Sequence, residues 1–205
     1  FFHQTERSFL LAKSIGLRNG CVTGDTRFDR VKSLRNQNHE IPFIGDFKSG
    51  KKAVVFGSSW QAEEEIARIL ARKNKDIKLI IAPHDLKRVE NLQQIFPEAI
   101  LYSQVSQMEI HKISSAQILI IDSIGLLSRL YSYADVAVVG GGFHASGLHN
   151  ILEAAAFGVP VFFGNQYRKN PEADALIESR GGKSFEDEEY AVNFICSLFD
   201  HEELL

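Results

Sequence analysis

The sequence predicts an α/β domain built on a parallel β-sheet that is flanked by helices on both faces. Short apolar runs typical of buried strands alternate along the chain with amphipathic stretches of helical period. Strand and helix follow one another at the spacing of βαβ units, which is typical of a parallel sheet covered on both sides. A length of 205 residues is enough for one good-sized domain of this kind.

The predicted strands are short apolar runs, each of which ends before a glycine, a proline or a polar residue. They cover residues 53–57, 78–82, 117–122, 135–139 and 160–163. Helices are predicted between and after them, at residues 61–72, 85–96, 126–130, 150–157, 172–179 and 187–199. The first of these helices carries Glu63 and Glu64 in its first turn, where acids suit the helix dipole. Pro97 ends the second helix.

The first 50 residues are less regular than the rest. Residues 5–15 are predicted to be helical, with Gly16 as the stop signal. Residues 22–24 are a candidate strand, and residues 35–52 are interpreted as a polar connector. Because the chain starts without Met and ends without a closing element, we interpret it as a piece of a longer protein. The predicted division is 1–20, the tail of a preceding domain or an interdomain helix, and 21–205, a ligand-binding domain.

Composition excludes several classes of protein. The net charge of −3 provides no field that would attract nucleic acid. Cys21 and Cys196 lie far apart without CxxC spacing, which argues against a disulfide framework or a zinc site and predicts a reducing compartment. No run of about 18 apolar residues is present to span a bilayer, and no signal peptide opens the chain.

Polar residues and glycines gather at one edge of the predicted sheet. In an open parallel sheet, ligands bind at the carboxyl ends of the strands. The segments that follow the strands are rich in such residues: 57–60, 83–85, 122–125, 140–150 and 164–167. A purely structural domain has no reason to collect them there, so this edge is the predicted ligand site.

The glycine run after the fourth strand is the strongest single feature. Gly140, Gly141 and Gly142 allow backbone to approach a ligand closely. The run leads to a helix predicted to start near Asn150, whose free N–H groups suit a phosphate. Glu153 lies one turn further on, where its carboxylate can accept hydrogen bonds from ribose hydroxyls. The plainer alternative is a tight loop followed by an ordinary first-turn acid.

Two familiar nucleotide motifs do not explain the chain. The glycine run breaks the G-x-G-x-x-G pattern because Ala145 occupies the third glycine position, and no acid follows about 20 residues later. Residues 45–51 fit G-x-x-x-x-G-K. However, Lys52 stands where Ser or Thr should hold magnesium, and the segment precedes a strand instead of following one. We interpret this match as chance.

Other residues at this edge have a structural and a functional interpretation. His84 is either a surface histidine or a ligand contact. Ser58 and Ser59 either cap the helix at 61–72 or donate to a phosphate, and Asp122 or Ser123 could cap the next helix. Trp60 is expected to pack. The cations Lys87, Arg88, Arg168 and Lys169 are expected to be solvated unless a phosphate lies near them. Neither a nucleophile elbow nor metal-ligand spacing of the H-E-x-x-H kind is present.

These residues together resemble the 3-deoxy-D-manno-octulosonic acid (Kdo) transferases. The resemblance begins at residues 22–30, continues at 57–64 and 122–131, and is most specific at 134–164, which fixes residue types at more than twenty positions. It runs in order over nearly all of the chain. The family consists of inverting glycosyltransferases with two Rossmann-like domains, the GT-B architecture, and this chain is similar to the C-terminal, CMP-Kdo-binding domain.

The resemblance implies a function for each part of the site. Gly141, Gly142, Asn150 and Glu153 would face the phosphate and ribose of CMP-Kdo. Pro83 and His84 would lie near the cytidine, and Ser58 and Ser59 near the sugar or phosphate. No metal or other cofactor is implied. The general base, the lipid A precursor and the membrane contact would belong to an absent N-terminal domain. The chain alone would then be soluble and inactive, and the whole enzyme would lie on the cytoplasmic face of the bacterial inner membrane in lipopolysaccharide biosynthesis.

One departure from the family pattern affects the cytidine loop. Relatives often have an Arg between the proline and the histidine and a Pro after it, whereas here Pro83 meets His84 directly and Asp85 follows. Lys87 or Arg88 could supply the missing charge. Two alternatives stay open: a related GT-B enzyme that uses a UDP-sugar, such as a UDP-GlcNAc epimerase or transferase, and a non-catalytic α/β interaction module.

Overall fold

The computed structural model describes residues 1–34, 36–145 and 147–201. The chain divides into two compact units, Phe1–Gln37 and Asn38–Leu205. The first unit holds a two-stranded parallel sheet, β1 (Phe2–His3) and β2 (Cys21–Val22), with helices α1 (Glu6–Ser14) and α2 (Thr26–Leu34). Helix α1 confirms the helix predicted at 5–15, and its N-cap is Thr5, whose hydroxyl accepts from the Ser8 N–H.

The second unit is a seven-stranded parallel sheet with helices along the chain between its strands. In chain order it contains α3 (Ile44–Lys48), β3 (Ala53–Ser59), α4 (Gln61–Lys73), β4 (Lys78–Pro83), α5 (Val89–Ile95), β5 (Ile100–Leu101), α6 (Ile110–Ser115), β6 (Ile118–Ile120), α7 (Leu127–Leu130), β7 (Val136–Val139), α8 (Leu152–Ala155), β8 (Val161–Gly164), α9 (Pro171–Glu178), β9 (Gly182–Phe185) and α10 (Glu188–Asp200). Short 3₁₀ turns occupy 86–88, 102–107 and 131–133.

The sheet order is β5-β6-β4-β3-β7-β8-β9, and every neighbouring pair is parallel. The central strands are buried on both faces, as the near-continuous apolar runs of a parallel sheet require. Alternate residues of the strands pack into two apolar clusters, one containing Phe56 and Val138, the other Val55 and Val139. The predicted parallel sheet flanked by helices is therefore confirmed.

Several predictions about individual elements were wrong or incomplete. The connector at 35–52 contains helix α3, because Ile41, Ile44 and Phe47 recur at three-residue spacing and are buried. Arg35 lies outside the described residues. The sequence interpretation also missed α2, α6 and the edge strands β5 and β9. Within the described residues, no helix combines the length and the apolar character needed to cross a membrane.

Candidate functional site

The site lies where the order of strands along the sheet reverses. The chain builds outward from β3 through β4 on one side and from β7 through β8 on the other, and β3 and β7 are neighbours. The loops that follow β3 and β7 therefore diverge and leave a crevice at the carboxyl edge of the sheet. Residues 58–60 are the last two residues of β3 and the residue after it. The segment 140–151, which we call the glycine loop, follows β7. Ser146 of this loop lies outside the described residues.

The glycines of this loop let three chain segments come together. A Cβ atom added to Gly140 would stand 2.0 Å from the Ser58 carbonyl oxygen, and one added to Gly142 would stand 2.6 Å from the Gly164 nitrogen. Gly141 has φ +92°, a conformation that favours glycine. The run is thus required by backbone packing within the protein, which is a structural reason that the sequence did not reveal.

A buried carboxylate joins the glycine loop to the start of α4. Glu63 is fully buried and accepts hydrogen bonds from the Trp60 N–H at 2.8 Å and the Gly141 N–H at 3.1 Å. Burial raises the pKa of Glu63 above its ordinary value, against the lowering effect of these backbone hydrogen bonds. Sequence reasoning assigned Glu63 only to the helix dipole. The three-residue spacing between Trp60 and Glu63 indicates one of its two interactions, the hydrogen bond that caps the start of α4.

One tryptophan and three histidines form an aromatic cluster beside this carboxylate. Trp60 stacks on His84 with ring centroids 4.5 Å apart and meets His144 edge-on at 4.7 Å. The Trp60 indole N–H donates to Nε2 of His149 at 3.2 Å. That hydrogen bond requires an unprotonated Nε2, so His149 carries its proton on Nδ1. Burial, together with the charges of His84 and His144, lowers the pKa of His149. Trp60 therefore packs, as expected, but packs against site histidines.

Asn150 and Glu153 form a hydrogen-bonded pair at the end of the glycine loop. The Asn150 side-chain amide donates to Oε1 of Glu153 at 3.1 Å, and its Oδ1 accepts from the Leu152 N–H at 3.1 Å. The helix that follows, α8, is shorter than the predicted 150–157 and begins at Leu152. Within the described residues, no hydrogen bond engages Oε2 of the half-buried Glu153, so this oxygen is available to a ligand.

Cavities of about 470, 490 and 420 Å³ open at three separate places along this edge. The third, between the ends of β4 and β6, is lined by Pro83 and His84 on one side and Ser123 and Gly125 on the other. Among the residues that the structure describes, the buried hydroxyls of Ser123 and Ser59 have no hydrogen-bond partner. A buried hydroxyl without a partner costs about 1–3 kcal/mol, which a bound ligand or water can recover.

Two interpretations of polar residues at this edge were wrong. Neither Asp122 nor Ser123 caps α7, whose N-cap is Leu126, because the Asp122 carboxylate instead accepts from the backbone N–H of Ser103 at 2.9 Å and from its hydroxyl. Ser58 and Ser59 do not cap α4, whose N-cap is Trp60.

Arg88 is paired within the protein and does not supply free charge to the loop at Pro83 and His84. Its guanidinium makes two hydrogen bonds to Glu64, a carboxylate that is 1% exposed, and the Nε–Oε1 distance is 2.8 Å. Hydrogen bonding to Glu64, and to a lesser degree the charge of that carboxylate, raises the pKa of Arg88. Within the described residues, no group of three or more His, Cys, Asp or Glu is arranged to hold a metal ion.

The structure brings the predicted site residues to one edge of the sheet in two groups. Ser59 and His84 are joined by a hydrogen bond from the His84 N–H to the Ser59 carbonyl at 3.0 Å, and Ser58 and Pro83 adjoin them. The second group is Gly141, Gly142, Asn150 and Glu153 in and after the glycine loop. The His149 N–H donates to the Gly140 carbonyl at 3.0 Å, and the indole hydrogen bond of Trp60 links the two groups.

The fold and the position of this edge define the chain as one Rossmann-like half of the GT-B class of proteins. A solved UDP-GlcNAc 2-epimerase from Neisseria meningitidis, bound to UDP-GlcNAc, superimposes with a TM-score of 0.59 and 17% identity over 98% of this chain and 53% of that protein. No model of a known protein family matches the chain.

Within that class, the chain resembles the Kdo transferases. The transferase of Chlamydophila psittaci is 31% identical over 89% of this chain and 42% of its own length. The C-terminal CMP-Kdo binding domain of WaaA from Acinetobacter baumannii superimposes with a TM-score of 0.67 and 22% identity, over 86% of this chain and 90% of that one. The resemblance and the fold class predicted from the sequence are therefore confirmed. The chain spans less than half the length of the first curated relatives that it matches.

Proposed function

We propose that this chain is the donor-binding domain of a glycosyltransferase that transfers Kdo from CMP-Kdo to a lipid A precursor. The observation that carries the proposal is the Asn150–Glu153 pair beside the glycine loop. Asn150 fixes the Glu153 carboxylate through Oε1 and leaves Oε2 for a ribose hydroxyl. The resemblance to Kdo transferases, which covers most of the chain, supports a CMP-linked donor over other nucleotides.

In this proposal the cytidine enters the cavity lined by Pro83, His84 and Ser123. The unsatisfied Ser123 hydroxyl and the His84 imidazole supply polar contacts there, while Pro83 and Leu127 supply apolar surface. A pocket with a mainly apolar wall and a few placed polar groups is the usual form of a small-molecule site.

The phosphate would lie between the glycine loop and the end of β3. The N–H of Gly141 is already bound by Glu63, so Gly141 shapes the loop and does not itself hold the phosphate. Gly142 and the hydroxyls of Ser58 and Ser59 are the candidate donors. These dipoles are held in place before the ligand arrives, which is the arrangement that best stabilises developing negative charge.

The proposed reaction divides the chemical work between two domains. An acceptor hydroxyl attacks the anomeric carbon of Kdo as the bond to the phosphate oxygen breaks, and CMP leaves with the electron pair. The hydroxyl proton passes to a general base in the N-terminal domain. The chain described here would stabilise the leaving phosphate without a metal and would be inactive by itself.

The remaining parts of the proposal follow from this division of labour. Acceptor recognition and membrane contact would belong to the N-terminal domain, on the cytoplasmic face of the bacterial inner membrane. Residues 1–20 would be the end of that domain or an interdomain helix, and residues 21–205 the donor-binding domain.

Calorimetric titration with CMP, UMP and UDP, each with and without EDTA, tests the proposal. We expect CMP to bind more tightly than UMP or UDP, with no effect of EDTA. Preference for UDP would favour a UDP-sugar enzyme, which shares this fold. If the chain is folded by circular dichroism but binds none of these nucleotides, the result would contradict the proposal and favour an interaction module.

A further inference from the structure

The loop after β8 is fastened to the glycine loop at two points. We call residues 165–170 the basic loop. The Gln166 N–H donates to the Gly142 carbonyl at 2.7 Å, and the Asn170 side-chain amide donates to the Leu148 carbonyl at 3.3 Å. Between these two ties, the Tyr167 ring packs edge-on against Phe163 with centroids 5.4 Å apart. The backbone that carries Arg168 and Lys169 is therefore held against the glycine loop.

The two loops enclose a polar cavity of about 470 Å³. The glycine loop contributes Ala145 and Gly147 to its lining, and the basic loop contributes residues 165–169. The edge strand β9 and the residue after it close the far side with Ser184 and Glu186. Amide, hydroxyl and phenol groups thus surround a space large enough for one monosaccharide. Gln166, which lines this space, is hydrogen-bonded to Gly142, a candidate phosphate donor.

The charge of this cavity differs from that of its two neighbours. Arg168 and Lys169 stand against the single carboxylate of Glu186, and within the described residues no ion pair engages either cation. The cavity beside Trp60 is lined by Arg88, which is bound to Glu64, and by Glu65 and Glu188. The cavity at His84 is lined by Asp85. Of these three cavities, the one at the basic loop is therefore the one whose lining side chains carry a net positive charge.

We propose that this cavity binds the sugar of the donor and that Arg168 and Lys169 hold its carboxylate. The inference rests on the proposed function, and it names the substrate class as a nucleotide-linked sugar acid. In Kdo the carboxylate is bonded to the anomeric carbon, so it lies within a few ångströms of the phosphate. Two cations next to the phosphate position can bind this carboxylate strongly, because charge-assisted hydrogen bonds to a carboxylate are about twice as strong as neutral ones.

The test compares the affinity of the chain for CMP and for CMP-Kdo. The variant Arg168→Gln/Lys169→Gln removes both charges but keeps a polar side chain at each position, and both positions are exposed. The matched control Arg72→Gln/Lys75→Gln removes two exposed cations near the amino end of β6, at the opposite edge of the sheet. Circular dichroism establishes that each variant is folded.

We expect the variant at the basic loop to bind CMP-Kdo about tenfold more weakly and to bind CMP as the original chain does. The control should bind both compounds as the original chain does. Unchanged CMP-Kdo binding would overturn the sugar subsite and leave the proposed function standing. An equal loss for CMP and CMP-Kdo would also overturn it, because the cations would then hold the phosphate. Failure of the unaltered chain to bind either compound would overturn the proposed function and the inference with it.

Discussion

The two sides of the glycine loop are built differently. Toward β3, the loop is closed by a fully buried carboxylate, Glu63, and by the indole hydrogen bond between Trp60 and His149. Toward β8, it is held by two hydrogen bonds to the basic loop, whose cations remain exposed. The first side fixes the backbone, and the second leaves charge available. Substitutions on the first side should therefore change stability, whereas those at polar groups facing the cavities should change binding.

Replacing Glu63 should produce the largest effect. Glu63→Ala leaves the buried N–H of Gly141 and the part-buried N–H of Trp60 without their acceptor, and an unsatisfied buried group costs about 1–3 kcal/mol. We expect the free energy of unfolding, measured by urea denaturation, to fall by about 3 kcal/mol.

The neighbouring Glu65 is a matched control because it lies on the same helix with a side chain that is 40% exposed, and its ion pair among the described residues is with Arg68. Glu65→Ala should change the free energy of unfolding by less than about 0.5 kcal/mol. Similar losses in both variants would show that Glu63 does not fasten the loop.

Adding a methyl group at Gly142 should produce the next largest effect. Its Cβ would stand 2.6 Å from the Gly164 nitrogen, so the glycine loop and the end of β8 must move apart. We expect Gly142→Ala to lower the free energy of unfolding by about 2 kcal/mol and to weaken CMP binding. Gly45→Ala, in helix α3 with open space around the added methyl, should instead be neutral or stabilising. Equal behaviour of the two variants in urea denaturation would contradict the close approach of the glycine loop to the end of β8.

Removing the Glu153 carboxylate should affect binding more than stability. We expect Glu153→Ala to weaken CMP binding about tenfold, or about 1.4 kcal/mol, through lost ribose contacts. Titration with 2′-deoxy-CMP sharpens the test, because a ligand that lacks one ribose hydroxyl should lose less when Glu153 is replaced. Glu178→Ala, at an exposed position on α9, should leave both affinities unchanged. An equal loss for both nucleotides would place the ribose elsewhere.

The pH dependence of His149 should be the smallest of these effects. Because the pKa of His149 is lowered in the folded protein, its neutral form contributes stability above the ordinary histidine pKa of about 6.5. That contribution is lost as the pH falls below this value, since unfolded chains then bind a proton that the folded state resists. The pKa of Glu63 is raised in the folded protein, so its contribution to stability is instead lost as the pH rises above the ordinary pKa of 4.5.

Comparing the pH dependence of stability in the original chain and in His149→Gln isolates the contribution of this histidine. We expect urea denaturation at pH 5 and pH 7.5 to show a smaller loss of stability on acidification in His149→Gln. A loss identical in both proteins would mean that the hydrogen bond from Trp60 does not depend on the protonation of His149.

The sequence revealed the sheet well because its central strands are continuous apolar runs. Residues 53–57 and 135–139 needed no tertiary information to be recognised. The edge strand β9 was missed because its sequence, Gly182–Phe185, ends in its single large apolar residue and carries Lys183, whose ammonium lies 4.0 Å from the Phe194 ring centroid. That lysine covers an aromatic surface contributed by another element, which no local pattern shows.

The sequence predicted at which edge of the sheet the site lies, but not which residues contact one another there. The glycine run, Asn150 and Glu153 could be located because they follow a strand, and parallel strands end together. The hydrogen bond from Gly141 to Glu63 joins residues 78 positions apart, and the Arg88 pair with Glu64 joins residues 24 apart. Such long-range partners follow from strand order, which the sequence left open, so Glu63 was interpreted only as a first-turn acid.

The most direct test of the central claim is to map CMP on the chain by amide chemical-shift changes in ¹⁵N-labelled protein. We expect the changes to cluster at the carboxyl edge, at His84, Ser123, Gly142 and the first turn of α8 around Leu152 and Glu153. The cavity near Arg72 and Gln117, at the amino edge, should stay unperturbed. Changes concentrated at that amino edge, with the glycine loop silent, would contradict the assignment of the site.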